Sequence, residues 1–171
     1  MEKVNNKEII IYAVLAAVLF NSVLCSVIQF LAALALGGSN FAFAARGIKL
    51  YWVFTLNSAV PLQIIVYLIP YLLAMVAIGG SLKALTKIAP GRTRFFTIAF
   101  AVLLAGFALF DVFYSAFSVL LKFNPHNDWV RIAELLNLSG TAGIIFIFFV
   151  IIFTAGYLNL MLKKILKYIN I

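Results

Sequence analysis

Four long stretches of the chain are almost entirely apolar, and they constrain the fold more than any other feature. A helix that crosses the hydrocarbon core of a bilayer needs about 20 mostly apolar residues. Four runs reach that length, at residues 9–36, 61–85, 95–121 and 141–162. Because lipid offers no hydrogen-bond partners to the backbone, such runs are expected to be helical. We therefore predict an all-α integral membrane protein, a four-transmembrane-helix bundle in which residues 1–171 form a single membrane domain.

The composition agrees with a bilayer environment. Of the 171 residues, 65% are hydrophobic and only 11% are charged, whereas about a quarter of a soluble domain is charged. The first apolar run is also much longer than the core of a signal peptide, which spans about 7–15 residues. We therefore expect it to be retained as a helix that contacts membrane lipid.

The positive charges are divided unevenly between the two ends of the predicted bundle. One end has nine of them and the other has four. The nine are Lys3, Lys7, Lys83, Lys87, Arg92, Arg94, Lys163, Lys164 and Lys167, and the four are Arg46, Lys49, Lys122 and Arg131. The excess of Lys and Arg in cytoplasmic segments places both termini in the cytoplasm, in a bacterial inner membrane. The net charge of +8 thus reflects membrane topology, and we expect no nucleic-acid partner.

Two of the connections between the apolar runs have structure of their own. In the first connection, aromatic and β-branched residues flank Arg46-Gly47, a pattern that favours a short β-hairpin. The alternative is an interfacial segment between helices 1 and 2. In the third connection, we predict a short helix over residues 128–136, capped by Asn127 or Asp128.

Polar side chains inside the apolar runs mark the candidate site, because they are costly in lipid. The first run has Asn21, Cys25 and Gln29 at spacings of four, which predicts one polar stripe with Ser22 and Ser26 beside it. The third run has Asp111, Ser115 and Ser118 on one face, at a similar depth. The candidate intramembrane polar site is therefore Asn21, Cys25, Ser26, Gln29, Asp111 and Ser115.

Two interpretations of these residues remain open. A mid-membrane carboxylate suits a proton, ion or metal site. Alternatively, Asp111 hydrogen-bonds to Asn21 or Gln29 and holds the helices together.

Standard catalytic and metal-binding patterns are missing from the sequence. A single cysteine, Cys25, excludes an internal disulfide and a Cys-x-x-Cys pair, and a single histidine, His126, excludes a multi-histidine metal site. The sequence has neither a phosphate-binding glycine loop nor a catalytic serine motif. We therefore predict no catalytic residues, no cofactor and no bound metal.

The segment from Cys25 to Gly38 resembles part of the site-2-protease family of intramembrane metalloproteases. In that family a core helix with His-Glu-x-x-His ends in small and glycine residues, a membrane-associated hairpin follows, and the third core helix supplies an aspartate. This chain has the same order of elements, with Asp111 in its third run. Residues 127–136 also resemble the connection in small family members. The resemblance covers roughly residues 20–160.

The chain departs from the family where the chemistry resides. Cys25 stands in place of the first zinc histidine, Ser26 in place of the general-base glutamate and Gln29 in place of the second histidine. Catalytic zinc needs three protein ligands, a water and a base. The resemblance therefore implies a non-catalytic relative, a pseudoenzyme.

Three functions are consistent with these observations. The first is an accessory or scaffold subunit that binds another membrane protein, a membrane segment or a lipid. The second is an inactive protease-like protein that holds a transmembrane peptide between helices 1 and 3. The third is a small transporter or channel subunit that uses Asp111.

Overall fold

Four long helices form the body of the protein in the computed structural model, which describes residues 6–46, 49–121, 124 and 126–169. The first span is Asn6–Ala35, the second Val60–Leu85, the third Arg92–Leu121 and the fourth Thr141–Leu166. The predicted four-helix membrane architecture is confirmed. The first, third and fourth helices extend past the apolar runs, because polar and charged residues continue the helix beyond the hydrocarbon core. Of the counted charges, Lys3 and Lys122 lie outside the described residues.

The first span is not a uniform α-helix. Helix α1 (Asn6–Val18) leads into a π-helical segment (Leu19–Leu24), and α2 (Cys25–Ala35) completes the span. At its end, Gly37 adopts φ +74° and its N–H donates to the Leu34 carbonyl, while Gly38 donates to that of Ala33 at 2.9 Å. This pair of bonds caps the carbonyl end of the helix and turns the chain toward the hairpin.

A two-stranded antiparallel sheet follows, which confirms the predicted hairpin. Strand β1 (Ser39–Arg46) pairs with β2 (Lys49–Thr55), while residues 47–48 lie outside the described residues. Aromatic rings fix the sheet to the helices. Trp52 packs on Phe30 of α2 at a centroid distance of 4.6 Å, and Phe54 stacks on Tyr67 of the second span at 5.4 Å.

The second and third spans are α3 (Val60–Leu85) and α4 (Arg92–Leu121), and the fourth is α6 (Thr141–Leu166). The short helix α5 (Asp128–Leu135) lies between α4 and α6 in sequence and packs on α3 and α4. Its N-cap is Asn127, whose side chain accepts from the Trp129 N–H at 2.9 Å, so the predicted short helix and its cap are confirmed. Trp129 is buried against Tyr71 of α3.

The outer surface of the bundle is apolar. Large side chains such as Phe149, Phe110 and Val76 are about three-quarters exposed, at 74%, 71% and 70%. A soluble monomer rarely exposes a continuous apolar surface of this kind. Acyl chains are therefore the natural environment of these faces.

Candidate intramembrane polar site

A cavity of about 840 Å³ lies between Asn21 of the first span and α4, the third span. Its apolar wall is formed by residues of α4, including Val102, Phe107 and Phe110. Its polar lining combines Asn21, Tyr51, Asp111, Tyr114, Asn124, His126, Asn127 and Asp128. Val102, Gly106 and Phe110 of the cavity wall are exposed, so the cavity is open to the surroundings of the bundle.

The π-helical segment determines which polar residue of the first span reaches this cavity. The Cys25 N–H donates to the Phe20 carbonyl, five residues back, rather than to the residue four back. The wider turn shifts the phase of the helix, so Asn21 lines the cavity while Cys25 faces α3. The single stripe expected from a uniform helix is therefore divided into two faces, and π-turns of this kind are frequent at functional sites.

The second face, formed by Cys25 and Gln29, is buried against a proline in α3. Pro70 has no N–H, so the Val66 carbonyl one turn earlier lacks its helical partner. The Gln29 side chain donates to that carbonyl at 3.5 Å, and the Cys25 Sγ lies 3.9 Å from the Pro70 carbonyl oxygen. Gln29 thus satisfies a backbone group that would otherwise be exposed to an apolar interior.

The Gln29 side chain also forms a hydrogen bond with an acidic residue, Asp128. The Gln29 Nε2 donates to Asp128 Oδ1 at 3.0 Å, which joins the first span to the first turn of α5. A pairing of Gln29 with Asp111 was one of the sequence-based alternatives. The structure instead pairs the Gln29 side chain with the Asp128 carboxylate, because α5 packs on α3 beside α2.

Ser115 of the third span binds Asn127, the residue just before α5. Its Oγ is fully buried, donates to the Asp111 carbonyl at 2.6 Å and accepts from Asn127 Nδ2 at 2.9 Å. Asn124 donates to the Tyr114 hydroxyl at 3.3 Å. Two side-chain hydrogen bonds therefore join Asn124 and Asn127, which line the cavity, to α4.

The predicted site residues thus fall into three places. Asn21 and Asp111 line the cavity, and Asp111 is half-buried there. Cys25, Ser26 and Gln29 are buried, at 0%, 6% and 2% exposure. Ser115 is buried beside Asn127.

Four residues in the segment that connects α4 to the first turn of α5 also belong to the site, although the sequence-based prediction did not include them. Asn124, His126, Asn127 and Asp128 all line the cavity, and His126 is exposed. The density of polar residues just after an apolar run was the available signal. Chemically, the lining offers amides, hydroxyls and carboxylates to a polar group that enters from an apolar side. Within residues 6–46, 49–121, 124 and 126–169, no group of three or more His, Cys, Asp or Glu side chains is placed to hold a metal ion.

These observations define the class of the protein: it is a multi-pass integral membrane protein with a polar cavity between two of its spans. No protein-family model, curated protein or solved structure matches the chain.

Proposed function

We propose that this protein is a non-enzymatic accessory or scaffold protein that binds a segment of another membrane protein in the cavity between its first and third spans. The cavity, with one apolar and one polar wall, is the observation that carries the proposal. A membrane segment with a polar side chain or an unwound turn needs both kinds of contact. Asn21 and Asp111 supply hydrogen-bonding groups from two different helices.

The depth of the polar lining favours a protein segment over a lipid headgroup. Asp111 precedes the last residue of α4, Leu121, by ten residues, which is about 15 Å along a helix. The loop that contains Asn127 and the hairpin residue Tyr51 lie beside the cavity at the same end. A headgroup would have to leave the interface to reach Asp111, whereas a protein segment presents polar groups at that depth from the start.

Photo-crosslinking in native membranes tests the proposal. Gly106 lines the cavity, and a Cβ added there meets nothing within 4 Å. Gly156 of α6 is equally open but does not line the cavity, so it is the matched control. A benzophenone maleimide attached to Gly106→Cys, in a Cys25→Ala background, should crosslink a discrete membrane protein, and Gly156→Cys should not.

Three other outcomes contradict the proposal. Equal crosslinking at both positions indicates random collisions, and crosslinking to lipid alone indicates a lipid site. Ion flux in liposomes that is lost in Asp111→Asn would instead support the transporter alternative.

A second candidate, an inactive relative of the site-2-protease family, is favoured by one contact. Cys25 and Gln29, which stand in the places of the two zinc histidines, are buried side by side on one helical face. Gln29 contacts a carboxylate there, that of Asp128. Asp111, the aspartate that the resemblance suggested, lies in the neighbouring cavity.

Restoring the histidines tests this relationship. If the face descends from a zinc site, Cys25→His/Gln29→His should bind stoichiometric Zn²⁺ with Asp128 as the third ligand, measured by elemental analysis. Adding Asp128→Asn should then release the metal. A double-histidine variant that folds but binds no more zinc than the unmodified protein would argue against the relationship.

A further inference from the structure

At the end of the bundle opposite the cavity, basic residues from three spans converge. Exposed lysines follow the apolar parts of α3 and α6, and α4 begins with basic residues. The exposed lysines are Lys83, Lys87, Lys163, Lys164 and Lys167. The guanidinium of Arg94 lies over the Tyr168 ring, 5.0 Å from its centroid, which shows that the start of α4 meets the end of the fourth span.

Arg94 differs from the other basic residues at this end because it is buried. It is 8% exposed, and its Nε has no hydrogen-bond partner among the residues that the structure describes. The Tyr168 ring covers the face of the guanidinium and does not supply an acceptor to this Nε–H. Leaving a buried cationic donor without an acceptor costs free energy, and an anion from outside the protein that accepts from it would reduce this cost.

The local backbone also suits an anion. Arg94 belongs to the first turn of α4, where backbone N–H groups have no helical acceptors and the helix dipole is positive. Gly91, just before the helix, has open space around it, since an added Cβ would meet nothing within 4 Å. Among the described acidic residues only Glu8 lies at this end, whereas Asp111, Asp128 and Glu134 belong to the other half.

We infer that the phosphate of an anionic phospholipid binds at Arg94 and the first turn of α4, with the surrounding lysines attracting it. A phosphate accepts from a guanidinium edge and from helix N-terminal N–H groups at the same time. A bilayer lipid is the appropriate source, because basic segments that end membrane spans lie at the level of the headgroups. This site is independent of the cavity and of any partner that the cavity binds.

Native mass spectrometry of the full chain tests the inference on unmodified protein first. Protein in micelles is offered equal amounts of phosphatidylglycerol and phosphatidylcholine, and we expect one phosphatidylglycerol to be retained about tenfold better. Inorganic phosphate at millimolar concentration should not displace it. Equal retention of the two lipids overturns the inference, and displacement by inorganic phosphate shows that the site recognises a free anion rather than a lipid.

Substitution then locates the site. Arg94→Gln should lose the preference for phosphatidylglycerol, while Arg131→Gln should keep it, because Arg131 lies at the other end and pairs with Glu134 at 2.9 Å. Lys163→Gln/Lys164→Gln changes only exposed residues and should weaken the preference about threefold without affecting folding. A preference that is unchanged in both the Arg94 and the lysine variants overturns the assignment.

Discussion

The first and third spans meet in two very different ways along their length. In the half near the basic end, α1 packs directly on α4, and buried alanines occupy the contact, with Ala17, Ala101 and Ala105 at 0%, 0% and 1% exposure. Beyond the π-helical segment, α2 packs on α3 and the hairpin instead, and the cavity lies between Asn21 of the π-helical segment and α4. One pair of helices therefore provides both a closed seam and an open site.

The difference shows how a small bundle keeps a cavity in lipid. Small side chains allow helix backbones to approach closely, which is the main source of stability between helices that share an apolar solvent. The closed seam holds the two spans together, while on the side of the cavity hydrogen bonds join Gln29 of α2 to Val66 of α3 and to Asp128 of α5. The cavity therefore does not depend on the contact between the two helices that border it.

The first prediction is that cysteines at the two ends of the bundle react with an impermeant reagent from opposite sides of the membrane. With both termini in the cytoplasm, a cysteine at Tyr168→Cys in a Cys25→Ala background should react with a membrane-impermeant maleimide only from the cytoplasmic side. A cysteine at the exposed position His126→Cys, beside the cavity, should react only from outside. Reversed labelling would invert the topology and with it the comparison.

Removing the two hydrogen bonds that the Gln29 side chain makes to α3 and α5 should have the largest effect on stability. Gln29→Leu leaves both the Asp128 carboxylate and the Val66 carbonyl without this donor, and we expect a loss of about 3 kcal/mol. The control is Asn159→Leu, an exposed position on α6. Detergent-induced unfolding in micelles measures both variants, and equal midpoints would show that the bridge contributes nothing.

Overfilling the closed seam should cost somewhat less. Ala17→Leu forces extra methylene groups between α1 and α4, and we expect about 2 kcal/mol of destabilisation. Ala155→Leu, which adds the same volume at an exposed position, should be close to neutral. If the two variants have the same unfolding midpoint in detergent, the contact between α1 and α4 is looser than the buried alanines indicate.

The smallest effect is expected where the loop is attached. Ser115→Ala removes the acceptor of Asn127 Nδ2 and the donor to the Asp111 carbonyl, at a cost of about 1 kcal/mol. Hydrogen exchange of α5 should rise, because Asn127 also caps that helix. Ser139→Ala, an exposed position after α5, should leave the exchange unchanged, and an equal rise in that control would contradict the proposed anchor.

The sequence predicted those elements that depend on local pattern. Length and apolar content were enough for the four spans, aromatic and β-branched residues around a glycine for the hairpin, and Asn127 for the start of α5. The division of the polar stripe was beyond such patterns, because a constant helical period assigns Asn21 and Cys25 to one face. The π-helical turn changes that period.

Contacts between residues far apart in the chain could not be predicted from the sequence either. Gln29 and Asp128 are 99 residues apart, and no spacing rule relates them. The pairing of Gln29 with the Val66 carbonyl follows from Pro70 only once α2 and α3 are known to be neighbours. Polarity within the apolar runs thus identified the residues of interest, whereas the assembled bundle determined their partners.

Filling the cavity tests its role as the binding site most directly. A benzophenone at Val102→Cys, an exposed position on the cavity wall, reports occupancy in native membranes. We predict that Gly106→Phe abolishes the crosslink to the partner, because the phenyl ring occupies space that the bound segment needs. The protein itself accommodates the substitution, since a Cβ at position 106 has no protein atom within 4 Å. Gly156→Phe, outside the cavity, should leave the crosslink intact. A crosslink of equal intensity in Gly106→Phe and Gly156→Phe would show that the partner binds elsewhere.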